Sequence, residues 1–212
     1  MKKRALLFVF FALLMLSIVP IVNLSLGNLR NTPIERWGSR AALYNVDFAL
    51  PHVNRLFYSL GISTSPGKVV IGKSDWLYLG DDYENALSVM RNGATADDAD
   101  TTSEIGVATK AWAEWFKLKN VRLFKVMIGP DKGTIYPEFL PDWVQPATHS
   151  ATDMLIANTN PEIFLDIAAV LRNKKNQFSQ PLYYRTDTHW NDLGAWIAFG
   201  ALAADVDRKS VV

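Results

Sequence analysis

The sequence predicts an α/β domain with a mostly parallel sheet and helices on both of its faces. Helical and strand-like apolar patterns alternate along the chain, in the order helix, strand, helix, short strand, helix. The 212 residues, of which 49% are hydrophobic and 20% charged, suffice for one globular core. The net charge of +1 gives no electrostatic case for a nucleic-acid partner. Because the chain contains no cysteine, disulfides, thiolate metal sites and cysteine nucleophiles are excluded.

An apolar helix opens the chain. Three basic residues precede the uncharged run 5–22, whose eighteen residues would reach about 27 Å as a helix, close to the hydrocarbon thickness of a bilayer. The basic flank would stay in the cytoplasm, so the residues that follow are predicted to be exported. Residues 1–27 are predicted to be a signal-anchor, which the length of the run favours, or a cleavable signal peptide, since Ser25-Leu26-Gly27 resembles a cleavage site. A buried core helix is a third option, which the terminal position and the basic flank disfavour.

A linker and a hairpin come next. Residues 28–66 are predicted to form a linker that is helical in part, with Pro51 and Pro66 as breaks. The main domain is predicted to occupy residues 67–212. It opens with a β-hairpin, because two β-prone runs flank the polar turn Lys73-Ser74-Asp75.

An acidic segment and a helix follow the hairpin. Residues 94–104 lack the glycine turn and the regularly spaced ligands of a calcium loop, so they are predicted to be a solvated loop that leads into a helix cap. The next residues place large apolar side chains close to the helical period, which predicts a helix whose aromatic stripe lies in the core. These residues are Ile105, Ala108, Trp112, Trp115 and Phe116.

A covered strand and a second helix are predicted further along the chain. The apolar run 121–128 ends at Gly-Pro and is typical of a strand that is buried on both faces. Asn160, followed by a proline, has the pattern of a helix N-terminus. The apolar face of that helix is predicted to run from 163 to 171.

Two loops are expected at one rim of the sheet. A short strand at 182–184 and a final helix from Asn191 or Asp192 complete the predicted domain. In open parallel sheets, ligands bind outside the carboxyl ends of the strands. The loops 129–132 and 186–190 each follow a predicted strand, so both are candidates for this position.

The second of these loops contains Asp187 and His189. A carboxylate at this spacing can hold an imidazole in one tautomer through Nδ1 and leave Nε2 free to accept a proton from a hydroxyl. The alternative is that Asp187 or Thr188 caps the following helix. His52 and His149 have no such partner nearby in sequence, and a structural or solvent role is predicted for each.

The residues alone also allow a metal site. Asp187 and His189 would supply two ligands, and Asp131 or His149 would supply the third. No H-E-x-x-H or comparable spacing accompanies them, so the pattern indicates a metal only weakly.

Three separated motifs in a fixed order resemble a known family. They are Ile71-Gly72-Lys73 with Trp76-Leu77-Tyr78-Leu79, Gly129-Pro130-Asp131-Lys132 with Ile135-Tyr136-Pro137-Glu138, and the segment 184–190. The set resembles the exported alginate O-acetyltransferase (AlgX/AlgJ-type) family over about residues 69–200. The resemblance implies an SGNH-hydrolase-like domain, which is a three-layer α/β/α fold with a mostly parallel sheet. An N-terminal transmembrane or signal helix would precede it.

The resemblance also implies roles for particular residues. In the family, the Asp-x-His-Trp motif supplies the acid and base of a catalytic triad, which here correspond to Asp187 and His189. No cofactor is implied. A substrate-binding role is predicted for residues of the matched motifs, namely Lys132, Tyr136, Tyr184, Arg185 and Trp190. Packing in the fold is the alternative for Tyr184 and Trp190, although aromatic rings also stack on sugars.

The nucleophile of the family is not found in this sequence. The family's serine lies in a Gly-Asp-Ser motif well downstream of the Asp-x-His pair. Ser210 is the only serine after His189, and it lacks the glycine and the aspartate. The resemblance therefore implies a domain that is truncated at the C-terminus, without the nucleophile, part of the oxyanion hole and the last strands. The 212 residues are expected to show little or no turnover by themselves.

The implied function is acyl transfer through an acetyl-serine onto hydroxyls of an exopolysaccharide such as alginate. A membrane-bound acyltransferase would deliver the acetyl group. The chain is expected in the periplasm, anchored to the inner membrane by its N-terminal helix, or soluble there if the signal is cleaved. Two alternatives remain, a non-catalytic polysaccharide-binding or scaffold protein of the cell envelope and a metal-dependent envelope hydrolase.

Overall fold

The computed structural model describes residues 2–25, 36, 38–47 and 49–210. The chain divides into two compact units, Met1–Leu60 and Gly61–Val212. The predicted start of the main domain at residue 67 lies close to the start of the second unit.

Among its described residues, the first unit contains three α-helices, α1 (Lys2–Ser25), α2 (Arg40–Leu43) and α3 (Leu50–Ser59). Most apolar side chains of α1 are exposed. In the part of the chain that the structure describes, α1 is the helix long and apolar enough to cross a membrane. At its end, the buried amide of Asn23 donates to the carbonyl oxygens of Leu43 (2.8 Å) and Asn45 (2.7 Å), which joins α1 to the turn after α2.

Pro51 does not break a helix, as the sequence suggested, but lies in the first turn of one. At that position of α3 a proline has no intrahelical N–H bond to lose, and its fixed φ suits the helix. Leu26 and Gly27, from the possible signal cleavage site, lie outside the described residues.

The second unit contains six α-helices and four short strands among the described residues. In chain order these are β1 (Val69–Ile71), β2 (Leu77–Leu79), α4 (Ala86–Asn92), α5 (Ala96–Leu118), β3 (Val126–Met127), α6 (Lys132–Ile135), α7 (Ala151–Asn158), β4 (Phe164–Leu165), α8 (Ile167–Lys174) and α9 (Asp192–Ser210).

The predicted hairpin is confirmed: β1 and β2 pair in antiparallel register, with Val70 opposite Tyr78. Gly72 follows β1 at a point of close approach. A Cβ atom there would lie 2.3 Å from the carbonyl oxygen of Phe139, so the backbone contact requires glycine.

The acidic segment is helical, so its prediction as a loop is wrong, although a helix cap is present. Thr95 is the N-cap of α5, and its Oγ1 accepts the N–H of Asp98 at 3.2 Å. The Asp98 carboxylate accepts the N–H of Thr95 at 2.8 Å. This capping box starts the helix early, and the positive end of the helix dipole favours the aspartates in its first turn.

The prediction that the aromatic stripe of α5 lies in the core is wrong for Trp112 and Trp115, which are 55% and 48% exposed. Beyond the first turn, the less exposed residues of α5 recur at helical spacing and are mostly small. They are Thr102, Gly106, Thr109, Ala113 and Phe116. Because small side chains let two helices approach closely, α5 packs on α7 along this stripe and leaves the tryptophans on its open side.

The strand predicted at 121–128 is much shorter than expected. Only Val126 and Met127 pair, in parallel, with Phe164 and Leu165 of β4. The partner strand ends there because Asp166 caps α8, where its carboxylate accepts the N–H of Ala169 at 2.8 Å. Among the described residues, this pair and the β1–β2 hairpin are the two sheets.

The helix predicted to begin at Asn160 begins instead at Ile167. Asn160 Oδ1 does accept the N–H of Glu162 at 2.8 Å, but this closes a turn. Phe164 is then drawn into the strand pairing and buried with Leu155 of α7. Burial of Phe164 and the ladder bonds outweigh the local helix signal. The sequence reading also missed α7, whose capping box joins Ser150 and Asp153.

The main core of the second unit lies among the hairpin, α6, α8 and α9. Trp76 is at its centre, with its ring stacked on Phe139 at 4.6 Å and tilted against Tyr136 at 4.7 Å, measured between ring centroids. Leu171 and Leu182 are fully buried beside these rings. This core lies directly below the loop that carries Asp187 and His189.

Candidate active site

A closed loop follows Leu182. Tyr183 and Trp190 form an isolated antiparallel bridge, and the N–H of Tyr184 donates to the carbonyl oxygen of His189 at 3.2 Å. The N–H of Asn191 donates to the carbonyl oxygen of Leu182 at 2.9 Å. The strand predicted at 182–184 is thus reduced to the base of a loop, which the core holds from below.

Helix α9 begins immediately after this loop, as predicted. Asn191 is its cap, since its Oδ1 accepts the N–H of Gly194 at 3.0 Å and its Nδ2 donates to the carbonyl oxygen of Pro181 at 2.7 Å. The alternative in which Asp187 or Thr188 caps this helix is therefore wrong. The carboxylate of Asp187 is left to interact within the loop.

Asp187 and His189 contact each other directly. Asp187 Oδ1 lies 2.6 Å from His189 Nδ1 and also accepts the backbone N–H of His189 at 2.8 Å. These hydrogen bonds, the backbone bond first, lower the pKa of Asp187. An ionised carboxylate at Nδ1 favours the tautomer that carries its proton there. Nε2 is then the ring nitrogen that can exchange a proton with a substrate.

The pair is exposed. The side chain of His189 is 79% accessible and that of Asp187 is 56% accessible. Thr188 Oγ1 lies 3.3 Å from His189 Nδ1 and adds a polar contact at the same nitrogen. An imidazole in this position can reach a large acceptor such as a polymer, because little protein covers it.

Lys132 lies beneath the loop and is only 4% exposed. Its Nζ donates to the carbonyl oxygens of Tyr184 (3.1 Å), Arg185 (3.0 Å) and Asp187 (2.6 Å). Burial of the ammonium lowers the pKa of Lys132 to about 8, and the nearby charge of Asp187 limits the fall. Sequence reasoning included Lys132 only as a ligand-binding residue and missed these bonds.

The segment 129–132 and the Asp187 loop do lie together, as predicted. Besides the bonds of Lys132, the hydroxyl of Tyr183 donates to the carbonyl oxygen of Pro130. A Cβ atom on Gly129 would lie 3.7 Å from Trp190 Cη2, so that ring lies against the glycine.

A pocket opens beside the loop. Asp131, Lys132 and Thr188 are its polar lining residues, and nearby protein atoms desolvate the Asp131 carboxyl and raise its pKa. The remaining lining residues are Tyr78, Leu79, Ala86, Met90 and Gly133.

The predicted substrate-binding residues occupy two different environments. Tyr136 is buried, and its hydroxyl accepts the N–H of Leu182 at 2.9 Å, so its observed contacts, like those of Lys132, are within the fold. Tyr184 and Arg185 are exposed on the loop, and Trp190 is half-buried at its base. A substrate-binding role for these residues stays a prediction, and the exposed Tyr184 and Arg185 have the most surface to offer a ligand.

The ligands of a possible metal site do not come together. Across the described ranges, no three His, Asp or Glu side chains lie close enough to hold a metal ion. His149 is exposed elsewhere on the second unit, where its carbonyl oxygen accepts the N–H of Ala94 at 3.0 Å.

Residues 69–212 match the family described as the SGNH hydrolase-like domain of the acetyltransferase AlgX. This chain belongs to the AlgX family. The family predicted from three motifs is confirmed, and so is the SGNH-hydrolase-like α/β fold class. The two small sheets and the surrounding helices are the described part of that fold.

Two AlgJ proteins are similar to this chain. The chain is 30% identical over 184 residues to a probable alginate O-acetylase AlgJ of Pseudomonas syringae pv. tomato, a match that covers 84% of this chain and 40% of the relative. It is 24% identical to the solved O-acetyltransferase domain of Pseudomonas putida AlgJ, with a TM-score of 0.46 over 68% of this chain and 49% of that chain. The chain thus spans less than half of the length of each relative.

Proposed function

We propose that this chain supplies the acid–base pair of an O-acetyltransferase that acts on hydroxyls of an exported polysaccharide such as alginate. The observation that carries the proposal is the 2.6 Å contact between Asp187 Oδ1 and His189 Nδ1 on an exposed loop. Membership of the acetyltransferase AlgX family supports it, and so does the resemblance of residues 187–190 to the Asp-x-His-Trp motif.

The proposed reaction has two proton-balanced halves. First, His189 Nε2 takes the proton of a serine hydroxyl while the serine oxygen attacks the acetyl carbonyl of a donor, and the donor's leaving group then takes that proton. Second, Nε2 takes the proton of a sugar hydroxyl while the sugar oxygen attacks the acetyl-serine, and the departing serine oxygen is reprotonated. Asp187 stabilises the imidazolium that forms in each half.

The serine is proposed to come from polypeptide other than these 212 residues. The printed sequence contains no Gly-Asp-Ser, and the flanks of Ser210 do not resemble that motif. Residues 1–212 by themselves are therefore expected to hydrolyse small acetyl esters no faster than the background.

The site is proposed to lie in the periplasm. The apolar α1, with its basic flank, would cross the inner membrane as a signal-anchor or be removed as a signal peptide. The acetyl group would be delivered across that membrane by a membrane-bound acyltransferase. The exopolysaccharide is the proposed acceptor.

The test uses the complete reading frame of this gene in an alginate-producing host that lacks its own AlgJ-type acetylase. Acetyl esters on the secreted polysaccharide should appear with the wild-type sequence. His189→Ala should lower the rate of acetylation by roughly 10²–10⁴-fold, as expected when a general base is removed. Asp187→Asn should lower it too, because it disfavours the required tautomer. His149→Ala, an exposed histidine outside the pair, is the matched control and should acetylate normally.

Other outcomes would decide against the proposal. Full acetylation by His189→Ala would remove the pair from the reaction. Alginate binding without acetylation, unchanged by Asp187→Asn, would instead favour a non-catalytic scaffold. Ester hydrolysis by residues 1–212 that is lost in His189→Ala would show that a nucleophile lies within them.

A further inference from the structure

The ammonium of Lys132 has three backbone acceptors and little freedom to move. An ammonium has three N–H donors, and each can be assigned to one of the carbonyl oxygens of Tyr184, Arg185 and Asp187. The rings of Trp76 and Tyr78 cover the same nitrogen, with centroids at 5.6 Å and 5.3 Å. Aromatic rings therefore cover the ammonium from below, and its three hydrogen bonds join it to the loop above.

Three carbonyl oxygens of the loop converge on this cation. Carbonyl dipoles that converge on one point repel one another unless a positive charge lies there. The carbonyl of Arg185 also accepts the N–H of Leu77 at 2.8 Å. The carbonyls of Tyr184 and Asp187 accept from Lys132, although the residues of this segment are otherwise exposed. The shortest of the three bonds, at 2.6 Å, is the one to Asp187 itself.

The exposure of the pair makes this support more important. Side chains that are 79% and 56% accessible have few neighbours to fix their rotamers. The backbone N–H of His189 also binds the carboxylate of Asp187, so a movement of the loop backbone would change how that carboxylate meets His189 Nδ1. A shift of about 1 Å in such a pair is enough to weaken catalysis strongly.

We propose that Lys132 is the positioning residue of the Asp187–His189 pair, in which its ammonium holds the backbone of residues 184–187 so that the carboxylate stays against Nδ1. The inference rests on the proposed function for the role of the pair. The hold on the loop is nevertheless a property of the folded chain, and it can be measured without acetyl transfer.

The protonation state of Lys132 should matter, because a neutral amine has only two N–H donors for the three carbonyls. The ionisable groups near it are Asp187, Tyr78 and Asp131, which lines the same pocket. Hydrogen bonds lower the pKa of Asp187 and burial raises that of Tyr78, so neither changes charge on the alkaline side of neutrality where Lys132 titrates. Asp131→Asn removes the remaining carboxyl and keeps the ammonium of Lys132. This variant therefore measures how much Asp131 contributes to the pH dependence.

The experiment reads the tautomer of neutral His189 by long-range ¹H–¹⁵N correlation NMR. It uses the whole 212-residue chain in detergent micelles, with His52→Gln and His149→Gln to leave one imidazole signal. Lys132→Met keeps the length of the side chain and removes the charge. Loss of the hold should lower the ratio of the Nδ1–H to the Nε2–H tautomer by roughly fivefold, the effect expected for the loss of one hydrogen bond.

Lys175→Met is the matched control. Lys175 Nζ also donates to a backbone carbonyl, that of Ile135 at 2.6 Å, and pairs with Glu138, but it does not contact the loop. It also lies 5.0 Å from the centroid of the Tyr136 ring. Its removal therefore perturbs the same core without releasing residues 184–187, and the tautomer ratio should remain that of the wild type.

Two further measurements keep the proposal open to refutation. In the wild-type chain the tautomer ratio should fall as Lys132 loses its proton near pH 8, which tests the hold even if Lys132→Met does not fold. Because the chain has no cysteine, Lys132→Cys can be aminoethylated specifically while unfolded, and the restored ammonium should restore the ratio. An unchanged ratio in Lys132→Met, or equal changes in Lys132→Met and Lys175→Met, would overturn the proposal. Failure of acetylation by the complete gene product would instead contradict the proposed function and leave the tautomer result standing.

Discussion

Raising the pH from about 7 to about 10.5 is expected to stabilise the wild-type chain relative to Lys132→Met. Burial moves the pKa of Lys132 from 10.5 in the unfolded chain to about 8 in the folded one. Between these values the unfolded chain binds a proton that the folded chain has released, so the free energy of unfolding rises with pH. At about 1.4 kcal/mol per pKa unit, the full gain is about 3 kcal/mol.

The assay is urea unfolding of both chains in detergent at a series of pH values, followed by tryptophan fluorescence. Trp76, buried next to Lys132, supplies a core signal. Other lysines and tyrosines titrate in both chains, so the difference between the two unfolding free energies isolates Lys132. That difference should be constant below pH 8, where Lys132 is protonated in both states, and should increase above it.

A difference that stays flat across the window would refute this reasoning. It would mean that the three carbonyl oxygens stabilise the ammonium as well as water does. Burial would then leave the pKa of Lys132 unchanged. The expected rise of the difference in unfolding free energy would show that the fold retains a charge that lowers its stability. Such a charge is easier to understand in a residue that positions a site than in one that only stabilises the core.

Two further predictions concern the support of the same loop. Tyr136→Phe removes the hydroxyl that accepts the N–H of buried Leu182, and should lower the free energy of unfolding by about 1–3 kcal/mol in urea titrations. Tyr78→Phe should cost less, because the carbonyl that its hydroxyl contacts also accepts a backbone N–H; an equal or larger loss would contradict this. Gly194→Ala would place a Cβ atom 2.3 Å from the carbonyl oxygen of Leu182 and should lower the melting temperature despite the better helix propensity of alanine. Gly200→Ala in the same helix meets nothing within 4 Å and should raise it, so a common direction for the two variants would be the contrary result.

Features that depend on residues close together in the chain could be predicted from the sequence. The hairpin follows from β-prone runs around a polar turn, and α9 follows from its asparagine cap. Asp187 and His189 are two residues apart, so their contact needs only a local turn. The order of three motifs was specific enough to identify the family.

Features that depend on distant neighbours could not be predicted in this way. Asn160 has a good helix-start pattern, but the helix begins at Ile167 because pairing and burial of Phe164 compete with it. The tryptophans of α5 look like core residues, yet helix packing selected the stripe of small residues beside them. In both cases the local preference is about 1 kcal/mol, which tertiary contacts exceed.

The sequence by itself determined that Asp187 and His189 contact each other, because a carboxylate and an imidazole two positions apart meet through a local turn. Only the tertiary structure decided that Lys132 binds the backbone of their loop. Lys132 is separated from the loop carbonyls by more than fifty residues, and no local pattern distinguishes a lysine that binds a ligand from one that binds the backbone. The physical reason is that hydrogen bonds within a turn are set by neighbouring residues, whereas the solvation of a buried charge is set by whichever groups the whole fold brings to it.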